Sequence, residues 1–296
     1  MPEADSPENA RAILAANPDF QGIIPLLIDR IDAAFLDAHP SLIAVSNLAV
    51  GYNNIDVPAC TARRVGCANT PGVLNNATAE IAFALILAAA RRTGESERHV
   101  RAGGWTAWGP GEFTGTDVCG QTLGILGAGR IGTRVARMAC GFDMRLIYHN
   151  RKPNSEMQAL GATWVTMDEL FRQADFLSVH VPLSDATRHL VGAPQFALMK
   201  SNAIFINTAR GAVVDEGALF DALQTRRILS AGLDVYENEP ALHPGLARLE
   251  NVVLLSHIGS ATHQTRRKMG ALAAANLIAM LAGQRPPTPL NPELWP

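Results

Sequence analysis

Three glycines with the spacing GxGxxG lie at positions 127, 129 and 132, between the apolar run Leu123–Gly127 and the helical pattern Arg130–Cys140. In a strand–turn–helix setting, such glycines permit a tight turn, close approach of a pyrophosphate and close packing of the helix on the strand. The first turn of the helix offers N–H groups and a partial positive charge to phosphates. The segment therefore predicts a dinucleotide-binding unit, although the same spacing elsewhere is often an ordinary glycine-rich turn.

Short apolar runs alternate with helical patterns over residues 120–258, which is typical of a parallel sheet covered by helices on both faces. We predict strands at Leu123–Gly127, Arg145–His149, Asp175–Val181, Ala203–Asn207, Ser230–Val235 and Val252–Leu255. The helical segments between them are Arg130–Cys140, Met167–Gln173 and Asp215–Arg226. The predicted fold class is therefore α/β, with a doubly wound parallel sheet of the Rossmann type.

A second, smaller domain is predicted from the residues on either side of this sheet. Gln21–Leu27 and Leu42–Ser46 have the pattern of strands, with a short helix at Asp32–Ala38 between them. A last helix is expected from Ala261 to about Ala282. The predicted boundaries are 1–75 with 264–296 for the smaller domain and 76–263 for the nucleotide-binding domain.

A long helix is expected at the start of the nucleotide-binding domain, before the first predicted strand of its sheet. Asn75 and Asn76 can cap it, because their side chains accept hydrogen bonds from N–H groups at a helix start, and it is predicted to continue to about Gly103. Its segment Ile81–Ala90 is apolar over more than half the helix circumference, which indicates burial on several sides. This pattern favours a subunit interface in addition to contacts within the chain.

Composition and charge disfavour several other classes of protein. Charged residues make up 18% of the chain and the formal net charge is −2, so no surface for nucleic acid is expected. The longest apolar run, Ile81–Ala90, is shorter than the about 20 residues that span a bilayer, and no signal segment opens the chain. We therefore expect a cytoplasmic protein without a membrane segment. Neither the four cysteines nor the histidines have ligand spacing, so no metal site is expected.

The strand that follows the glycine segment ends in Tyr148-His149-Asn150-Arg151-Lys152. An NAD-binding domain usually has an acid here, about 20 residues beyond the glycines, which accepts a hydrogen bond from the ribose 2′-OH. Asn150 is neutral, and Arg151 with Lys152 supplies positive charge suited to a 2′-phosphate. The strand end therefore predicts binding of NADP(H), with NAD(H) as the weaker alternative. The other interpretation is a basic turn that is exposed to solvent and binds no cofactor.

Polar segments also follow three later strands, where open α/β sheets bind ligands. Arg210 follows one strand, and a guanidinium there can hold a carboxylate or polarise a carbonyl. Asp234, Glu237 and Glu239 follow the next strand, and His257 follows the last. A histidine beside a carboxylate has its protonated form stabilised, which suits a general acid near neutral pH. Taken singly, each of these residues is more often a surface or structural residue.

Six segments together resemble the D-2-hydroxyacid dehydrogenase family: Ala49–Gly51, Asn69–Glu80, Leu123–Gly132, Ile206–Asp215, Gly232–Pro240 and Ser256–Thr262. Within that family, Gly103–Trp108 and the Asn150-Arg151 turn are most similar to glyoxylate/hydroxypyruvate reductases. The resemblance implies a flavodoxin-like substrate domain beside the Rossmann domain. Family members usually begin with one more strand and helix, which the polar segment Met1–Ala16 does not offer, so the substrate domain is expected to be truncated at its N-terminus.

The resemblance also implies catalytic roles. Arg210 holds a 2-oxo acid through its carboxylate and carbonyl, and His257 delivers a proton. Glu239 pairs with that histidine, and it is preferred to Glu237 because the family pattern ends in Glu-Pro.

Further residues are implied to bind the substrate or the cofactor. The N–H groups of Val50 and Gly51 resemble the family's loop for the substrate carboxylate, and Trp108 resembles a residue that the paired subunit lends to the active site, with a core tryptophan as the equal alternative. Asp234 would bond the nicotinamide carboxamide, and Val181-Pro182 would line the adenine side. The predicted cofactor-binding residues are Thr78, Gly127, Ala128, Gly129, Arg130, Ile131, Gly132, Asn150, Arg151, Lys152, Val181, Pro182, Thr187, Thr208, Ala209, Asp234 and Gly259.

These features predict an NADPH-dependent reductase of small 2-oxo acids, glyoxylate and hydroxypyruvate, which works as a homodimer and forms D-2-hydroxy acids. A reductase of 2-ketogluconate or another 2-oxo acid on the same scaffold is an alternative. A non-catalytic protein that senses nucleotides is a further alternative, which the presence of Arg210, Glu239 and His257 together disfavours.

Overall fold

The computed structural model describes residues 14, 16, 17 and 19–295 of the chain. Its strands are β1 Gly22–Ile23, β2 Ala44–Ser46, β3 Gly66–Ala68, β4 Thr122–Leu126, β5 Arg145–His149, β6 Thr163–Trp164, β7 Phe176–Val179, β8 Ile204–Asn207, β9 Ser230–Leu233 and β10 Val252–Leu254. Its α-helices are α1 Ala33–Ala38, α2 Val57–Ala62, α3 Asn75–Ala90, α4 Thr93–Arg101, α5 Arg130–Cys140, α6 Ser155–Ala159, α7 Met167–Gln173, α8 Ala193–Leu198, α9 Glu216–Gln224 and α10 His263–Leu281. Short 3₁₀ turns lie at Gly211–Val213, Leu246–Arg248 and Pro292–Leu294.

The chain forms two compact units, of which the larger is Leu74–Thr262. The smaller unit contains the described residues up to Val73 and those from His263 onwards. These bounds lie within two residues of the predicted 75/76 and 263/264.

The larger unit contains a seven-stranded sheet in the order β10-β9-β8-β7-β4-β5-β6, in which every neighbouring pair is parallel. The chain order reverses at β4, which pairs with β5 on one side and with β7 on the other. In open α/β sheets, ligands bind outside the carboxyl ends of the strands at such a reversal. The predicted doubly wound parallel sheet is confirmed. Six of its seven strands match the predicted bounds to within two residues, and the edge strand β6, which is only two residues long, was not predicted.

The strands of this sheet are apolar on both faces because helices cover both. In β8, Ile204 and Ile206 lie in one core cluster and Phe205 lies in the other, and none of the three has exposed surface. Burying side chains of this size stabilises the fold by about 1.5–3 kcal/mol each. Continuous apolar runs therefore predicted these strands well, since a strand buried on two faces needs no polar residue.

The predicted long helix is wrong in its length and in its cap. Leu74 is the residue before α3 and no side chain caps it, because Asn75 and Asn76 already lie inside the first turn. The helix ends at Ala90, and Arg92 takes a left-handed φ of 52° before the separate helix α4 begins. The predicted burial on several sides is confirmed, because Ala84 is the only residue of Ile81–Ala90 that is exposed, and the others are buried or half-buried.

A distant loop explains the break between α3 and α4. The N–H of Thr116 donates to the carbonyl of Ala90 at 2.9 Å, so this oxygen serves the loop instead of a further helical turn. The loop passes so close that a Cβ on Gly115 would lie 2.2 Å from the same oxygen. The helix ends because of a contact with a segment about two dozen residues away in the chain. Local sequence patterns cannot predict such a contact.

The smaller unit contains a three-stranded parallel sheet in the order β1-β2-β3. The first strand is much shorter than the predicted Gln21–Leu27, because Pro25 cannot donate to a sheet. Strand β3 and helix α2 were not predicted, since the run Gly66–Ala68 is only three residues long. The predicted lack of an N-terminal strand concerns Met1–Ala16, which falls outside the described residues except for Leu14 and Ala16.

No helix among the described residues has both the length and the hydropathy to cross a membrane. Nor do three or more His, Cys, Asp or Glu side chains of these residues converge to hold a metal ion.

Candidate active site

The glycine segment lies at the reversal of strand order, between β4 and α5. Gly127 has a φ of 93°, and a Cβ there would lie 2.7 Å from the main-chain nitrogen of Val181. A Cβ on Gly132 would lie 2.7 Å from the Gly127 carbonyl oxygen. A Cβ on Gly129 would meet no atom within 4 Å. The first and third glycines therefore allow tight packing, and open space lies beside the second.

Asn150 holds the glycine segment in place. Its Oδ1 accepts from the N–H of Ala128 at 2.7 Å, and its Nδ2 donates to the Ala128 carbonyl at 3.2 Å. Asn154 donates to the same carbonyl at 2.7 Å. A carboxylate at position 150 could accept the first bond but could not donate the second. Arg151 and Lys152, which follow directly, are exposed to solvent.

The residues predicted on the adenine side form a compact turn after β7. The hydroxyl of Thr187 donates to the carbonyl of Pro182 at 2.6 Å and accepts from the N–H of Ser184 at 2.8 Å. Val181 lies against Gly127, as the close approach of its nitrogen shows. Thr187 therefore shapes the turn through its own hydrogen bonds.

A buried hydroxyl at the end of β8 has no protein partner. Thr208 is 7% exposed, and its Oγ1 has no hydrogen-bond partner among the residues that the structure describes. An unsatisfied buried polar group costs about 1–3 kcal/mol. Together with the space beside Gly129 and the helix start at Arg130, this hydroxyl fits a polar ligand that lies across the strand ends, such as a dinucleotide.

Asp234 ties the end of β9 to the segment after β10. Its two carboxylate oxygens accept from the N–H groups of Ile258 at 2.7 Å and Gly259 at 2.8 Å. Burial raises the pKa of Asp234, and these two bonds act against that shift. They also hold His257, which has an uncommon positive φ of 56°. Thr78 lies beside Gly259, where a Cβ would come within 3.4 Å of the threonine methyl group.

His257 and Glu239 form a hydrogen bond of 2.6 Å between Nδ1 and Oε2. The other carboxylate oxygen accepts from the N–H of Tyr236 at 2.9 Å. Burial acts to raise the pKa of Glu239, but the bonds from His257 and Tyr236 outweigh it and hold the pKa below its ordinary value. Since Nδ1 is bonded to Glu239, the ring nitrogen that can face a substrate is Nε2.

The neighbouring acid Glu237 has a different partner. Its Oε1 lies 2.6 Å from Nε2 of His189, on the turn that follows β7. The two acids therefore have different partners: Glu239 contacts His257, and Glu237 contacts His189.

Arg210 lies beside this pair. It follows β8, and its main-chain carbonyl accepts from Nδ2 of Asn207 at 3.0 Å. Burial lowers the pKa of the Arg210 guanidinium, and the negative charge of Glu239 acts against this shift. The ends of β8, β9 and β10 thus bring a cation and an imidazole–carboxylate pair together, which can bind an anion and exchange a proton with it.

Comparison with known proteins identifies the family of this chain. The family model described as "D-isomer specific 2-hydroxyacid dehydrogenase, NAD binding domain" matches residues 83–259. The chain belongs to this family.

Relatives resemble the chain over nearly all of its length. The glyoxylate reductase of Korarchaeum cryptofilum is 46% identical over 295 residues, which are 98% of this chain and 88% of that protein. A Thermus thermophilus protein of known crystal structure has a TM-score of 0.89 at 41% identity, covering 96% of this chain and 90% of its own. The NADPH-dependent glyoxylate/hydroxypyruvate reductase of Sinorhizobium meliloti, solved with NADP and malonate, has a TM-score of 0.86 at 36% identity, covering 93% and 85%. A nicotinamide dinucleotide is therefore the cofactor class of this D-2-hydroxyacid dehydrogenase.

In the smaller unit of this family member, two asparagines hold the loop with the predicted carboxylate-binding amides. Asn69 donates to the carbonyl of Val50 at 2.7 Å, and Asn47 donates to that of Gly51 at 2.8 Å. Both carbonyls are thereby fixed within the unit. Neither asparagine was singled out from the sequence, although Asn69 opens one of the segments that resemble the family.

The tryptophan of the family-like segment is on the surface of the described chain. Trp108 is 78% exposed and Trp105 is 59% exposed. The alternative that Trp108 is a core residue is therefore wrong. The segment around it, from Gly103 to Phe113, contains neither helix nor strand that would pack it against a core.

Proposed function

We propose that the chain reduces small 2-oxo acids, glyoxylate and hydroxypyruvate, to D-2-hydroxy acids with NADPH. The observation that carries this proposal is the hydrogen bond between His257 and Glu239 beside Arg210, at the strand ends of a domain from a dehydrogenase family. The substrate class is supported by relatives that are named glyoxylate reductases and share 46% identity with the chain.

Arg210 binds the acid. A guanidinium forms two parallel hydrogen bonds with a carboxylate or bonds a carboxylate and the adjacent carbonyl. Because Arg210 is largely withdrawn from solvent, its charge is screened less than that of a surface arginine. The family resemblance also gives the N–H groups of Val50 and Gly51, in the smaller unit, a role in binding a substrate carboxylate, and the carbonyls of these two residues are held by Asn69 and Asn47.

His257 carries the proton at Nε2. A bound reduced nicotinamide supplies the hydride to C2 of the acid. Negative charge then develops on the carbonyl oxygen, where fixed donors stabilise a transition state most strongly. His257 gives its Nε2 proton to this oxygen, and Glu239 accepts the Nδ1–H bond, which orients the ring and stabilises the imidazolium before the transfer.

NADPH is the preferred cofactor in this proposal. The acid that would bond a ribose 2′-OH is replaced by Asn150, and the amide of Asn150 is engaged with Ala128 on both sides. Arg151 and Lys152 are exposed beside it and supply two positive charges for a 2′-phosphate. NAD(H) remains the weaker alternative, because it lacks the group that these charges would bind.

A homodimer is the proposed assembly. The exposed Trp108 and Trp105 are large apolar side chains on an irregular segment, which a second copy of the chain would cover. In this assembly Trp108 contributes to the active site of the paired subunit.

A matrix of cofactors and substrates tests the proposed activity. Purified protein is assayed with NADPH or NADH against glyoxylate, hydroxypyruvate and 2-ketogluconate, with the His257→Gln variant as the negative control. The proposal expects the highest kcat/KM with NADPH and one of the two small acids. A higher kcat/KM with 2-ketogluconate would show that the proposed substrate class is wrong. Tight NADPH binding without any turnover would favour the alternative of a non-catalytic protein that senses nucleotides.

A further inference from the structure

Glu216, the first residue of α9, holds a segment of the candidate active site from behind. The residue is 8% exposed, and both of its carboxylate oxygens accept main-chain hydrogen bonds. Oε2 accepts from the N–H of Glu237 at 2.9 Å, and Oε1 accepts from the N–H of His243 at 2.6 Å. These two residues lie on either side of Glu239, so one side chain fastens both ends of the segment that carries it. We refer to residues 237–243 as the acid segment.

The beginning of the acid segment is also fixed by Tyr236. The hydroxyl of Tyr236 donates to the carbonyl of Leu255 at 2.7 Å, and its N–H donates to Oε1 of Glu239 at 2.9 Å. Leu255 precedes His257 by two residues. The tyrosine therefore connects the main chain beside the histidine with the carboxylate that bonds it.

The main chain around Arg210 packs directly on the same place. A Cβ on Gly211 would lie 1.8 Å from the carbonyl carbon of Tyr236 and 2.3 Å from the nitrogen of Glu237. No other residue than glycine allows this approach without displacement of the acid segment. Gly211 therefore packs against the start of the acid segment, and Glu216, five residues later in the chain, bonds the segment at both ends.

A carboxylate suits this position for physical reasons. It has two acceptor oxygens and no donor, so each oxygen can accept one of the two N–H groups, whereas an amide has an NH₂ group, which can only donate, in place of the second oxygen. Its charge also interacts favourably with the N-terminus of α9. A bond between an ionised acceptor and a main-chain N–H is roughly twice as strong as a neutral one. The arrangement therefore limits the movement of the acid segment more than neutral side chains would.

We propose that Glu216 is a positioning residue, which keeps Glu239 within hydrogen-bonding distance of His257 by holding the N–H groups of Glu237 and His243. This inference rests on the proposed function, which gives the Glu239–His257 bond its catalytic role. The bond measures 2.6 Å, so a displacement of the acid segment by about 1 Å takes the two atoms beyond hydrogen-bonding distance.

Three variants test the proposal: Glu216→Ala, Glu216→Gln and, as a matched control, Asp221→Ala, which removes an exposed acid from the same helix. Misplacement by about 1 Å can cost about 10²-fold in rate, so we expect kcat of Glu216→Ala to fall by at least about tenfold. The Kd for NADPH should change by less than about twofold, since no cofactor-binding residue moves. Glu216→Gln should fall between the alanine variant and the wild type, because its oxygen keeps one of the two bonds.

The pH dependence of kcat separates positioning from a general loss of stability. The groups that face Glu239 are His257, Tyr236, Arg210 and Asp234. When the acid segment moves away from His257, the bonds that lower the pKa of Glu239 are lost while burial still raises it. The acidic limb of kcat should therefore move to higher pH in Glu216→Ala, and it should stay in place in Asp221→Ala. Loss of folded protein alone would lower kcat without moving this limb.

A nuclear magnetic resonance measurement supplies a readout that needs no turnover. The Nδ1 proton of His257 should give a downfield resonance, which is assigned by its disappearance in His257→Gln. We expect this resonance to shift upfield or vanish in Glu216→Ala and to persist in Asp221→Ala. Should Glu216→Ala not fold, the same comparison is made with Glu216→Gln, which preserves side-chain volume.

The outcomes distinguish this inference from the proposed function. A wild-type resonance and a wild-type kcat in both Glu216 variants would overturn the positioning role, whatever the substrate. If the wild-type protein reduces none of the three acids, the proposed function fails, and the resonance of His257 still decides whether Glu216 positions Glu239.

Discussion

The Nδ1 atom of His257 lies 2.6 Å from Oε2 of Glu239, although the two residues follow different strands. Glu239 follows β9 and His257 follows β10, and the parallel register of these strands, in which Val252 pairs with Ala231, brings their carboxyl ends together. The hydrogen bond places a negative charge behind the imidazole and leaves Nε2 for a substrate. Proton transfer in the proposed reaction depends on this pair.

Replacement of His257 by glutamine should reduce kcat by about 10²–10⁴-fold, which is the usual contribution of general acid catalysis. The Kd for NADPH, measured by fluorescence titration, should change by less than about twofold. The matched control is His189→Gln, which removes a histidine that forms an equally short bond, 2.6 Å, with Glu237. If the His257 variant loses NADPH affinity while its rate per bound cofactor is unchanged, His257 is a binding residue and the proton-transfer role is wrong.

The pH profile should report the ionisation of Glu239. Its pKa in the folded protein lies below the usual value of 4.5, because the bonds from His257 and Tyr236 outweigh the effect of burial. A carboxyl with a lowered pKa stays ionised as the pH falls past the usual value, and its contribution is lost only as the pH falls through the lowered pKa. We therefore expect the acidic limb of kcat to lie below pH 4.5, with circular dichroism recorded at each pH to verify folding. The limb should be absent from Glu239→Gln, and a limb that persists there would assign it to another group.

Replacement of Arg151 by alanine should weaken NADPH much more than NADH. Hydrogen bonds to charged groups contribute about 1.5–3 kcal/mol, and an exposed guanidinium should lie at the low end, so we expect about a tenfold rise in the Kd for NADPH. The Kd for NADH should change by less than about twofold, because NADH lacks the 2′-phosphate. Arg134→Ala, an exposed arginine on α5, is the control. Equal losses for the two cofactors would show that Arg151 does not contact the 2′-phosphate.

The large sheet could be predicted from the sequence because most of its strands can be recognised from a local pattern of residues. A strand covered on both faces is a continuous apolar run, as in Ile204–Asn207, and the glycine spacing marks the turn after β4. The break after Ala90 was not predictable in this way. It depends on the contact between Ala90 and Thr116, which no periodicity in either segment reveals.

Some residues of the candidate site could be predicted from local motifs, and others could be recognised only from their contacts in the fold. Arg210, Glu239 and His257 could be named because their motifs follow strands and resemble those of a family. Glu216 and Asn47 could not, because their importance lies in which main-chain groups they hold. A buried glutamate at a helix start or an asparagine after a strand is common, and only the fold shows that Glu216 bonds the acid segment and that Asn47 bonds the loop at Gly51.

Replacement of Asn69 by alanine should raise the KM for the 2-oxo acid. The variant removes the bond to the Val50 carbonyl, which measures 2.7 Å, so the loop loses one of its fixed points. A hydrogen bond of this kind contributes about 0.5–1.5 kcal/mol, which corresponds to a rise in KM of about two- to tenfold. The Kd for NADPH should not change. Asn202→Ala, at an exposed turn, is the control, and an equal effect in both variants would contradict a role for the loop.

Subunit complementation tests whether Trp108 acts across a dimer. The side chain is 78% exposed in the single chain, so it cannot be held by its own core. If it serves the partner's active site, a dimer of one Trp108→Ala subunit and one His257→Gln subunit contains one site with both residues intact. Refolding the two inactive variants together at equal concentration should then restore about a quarter of the wild-type activity, since half of the dimers are mixed and one of their two sites is complete. If Trp108 acts within its own subunit, every site in the mixture lacks one residue and no activity returns. Light scattering on the wild type measures the assembly directly, and a monomeric mass would contradict both the dimer and the shared site.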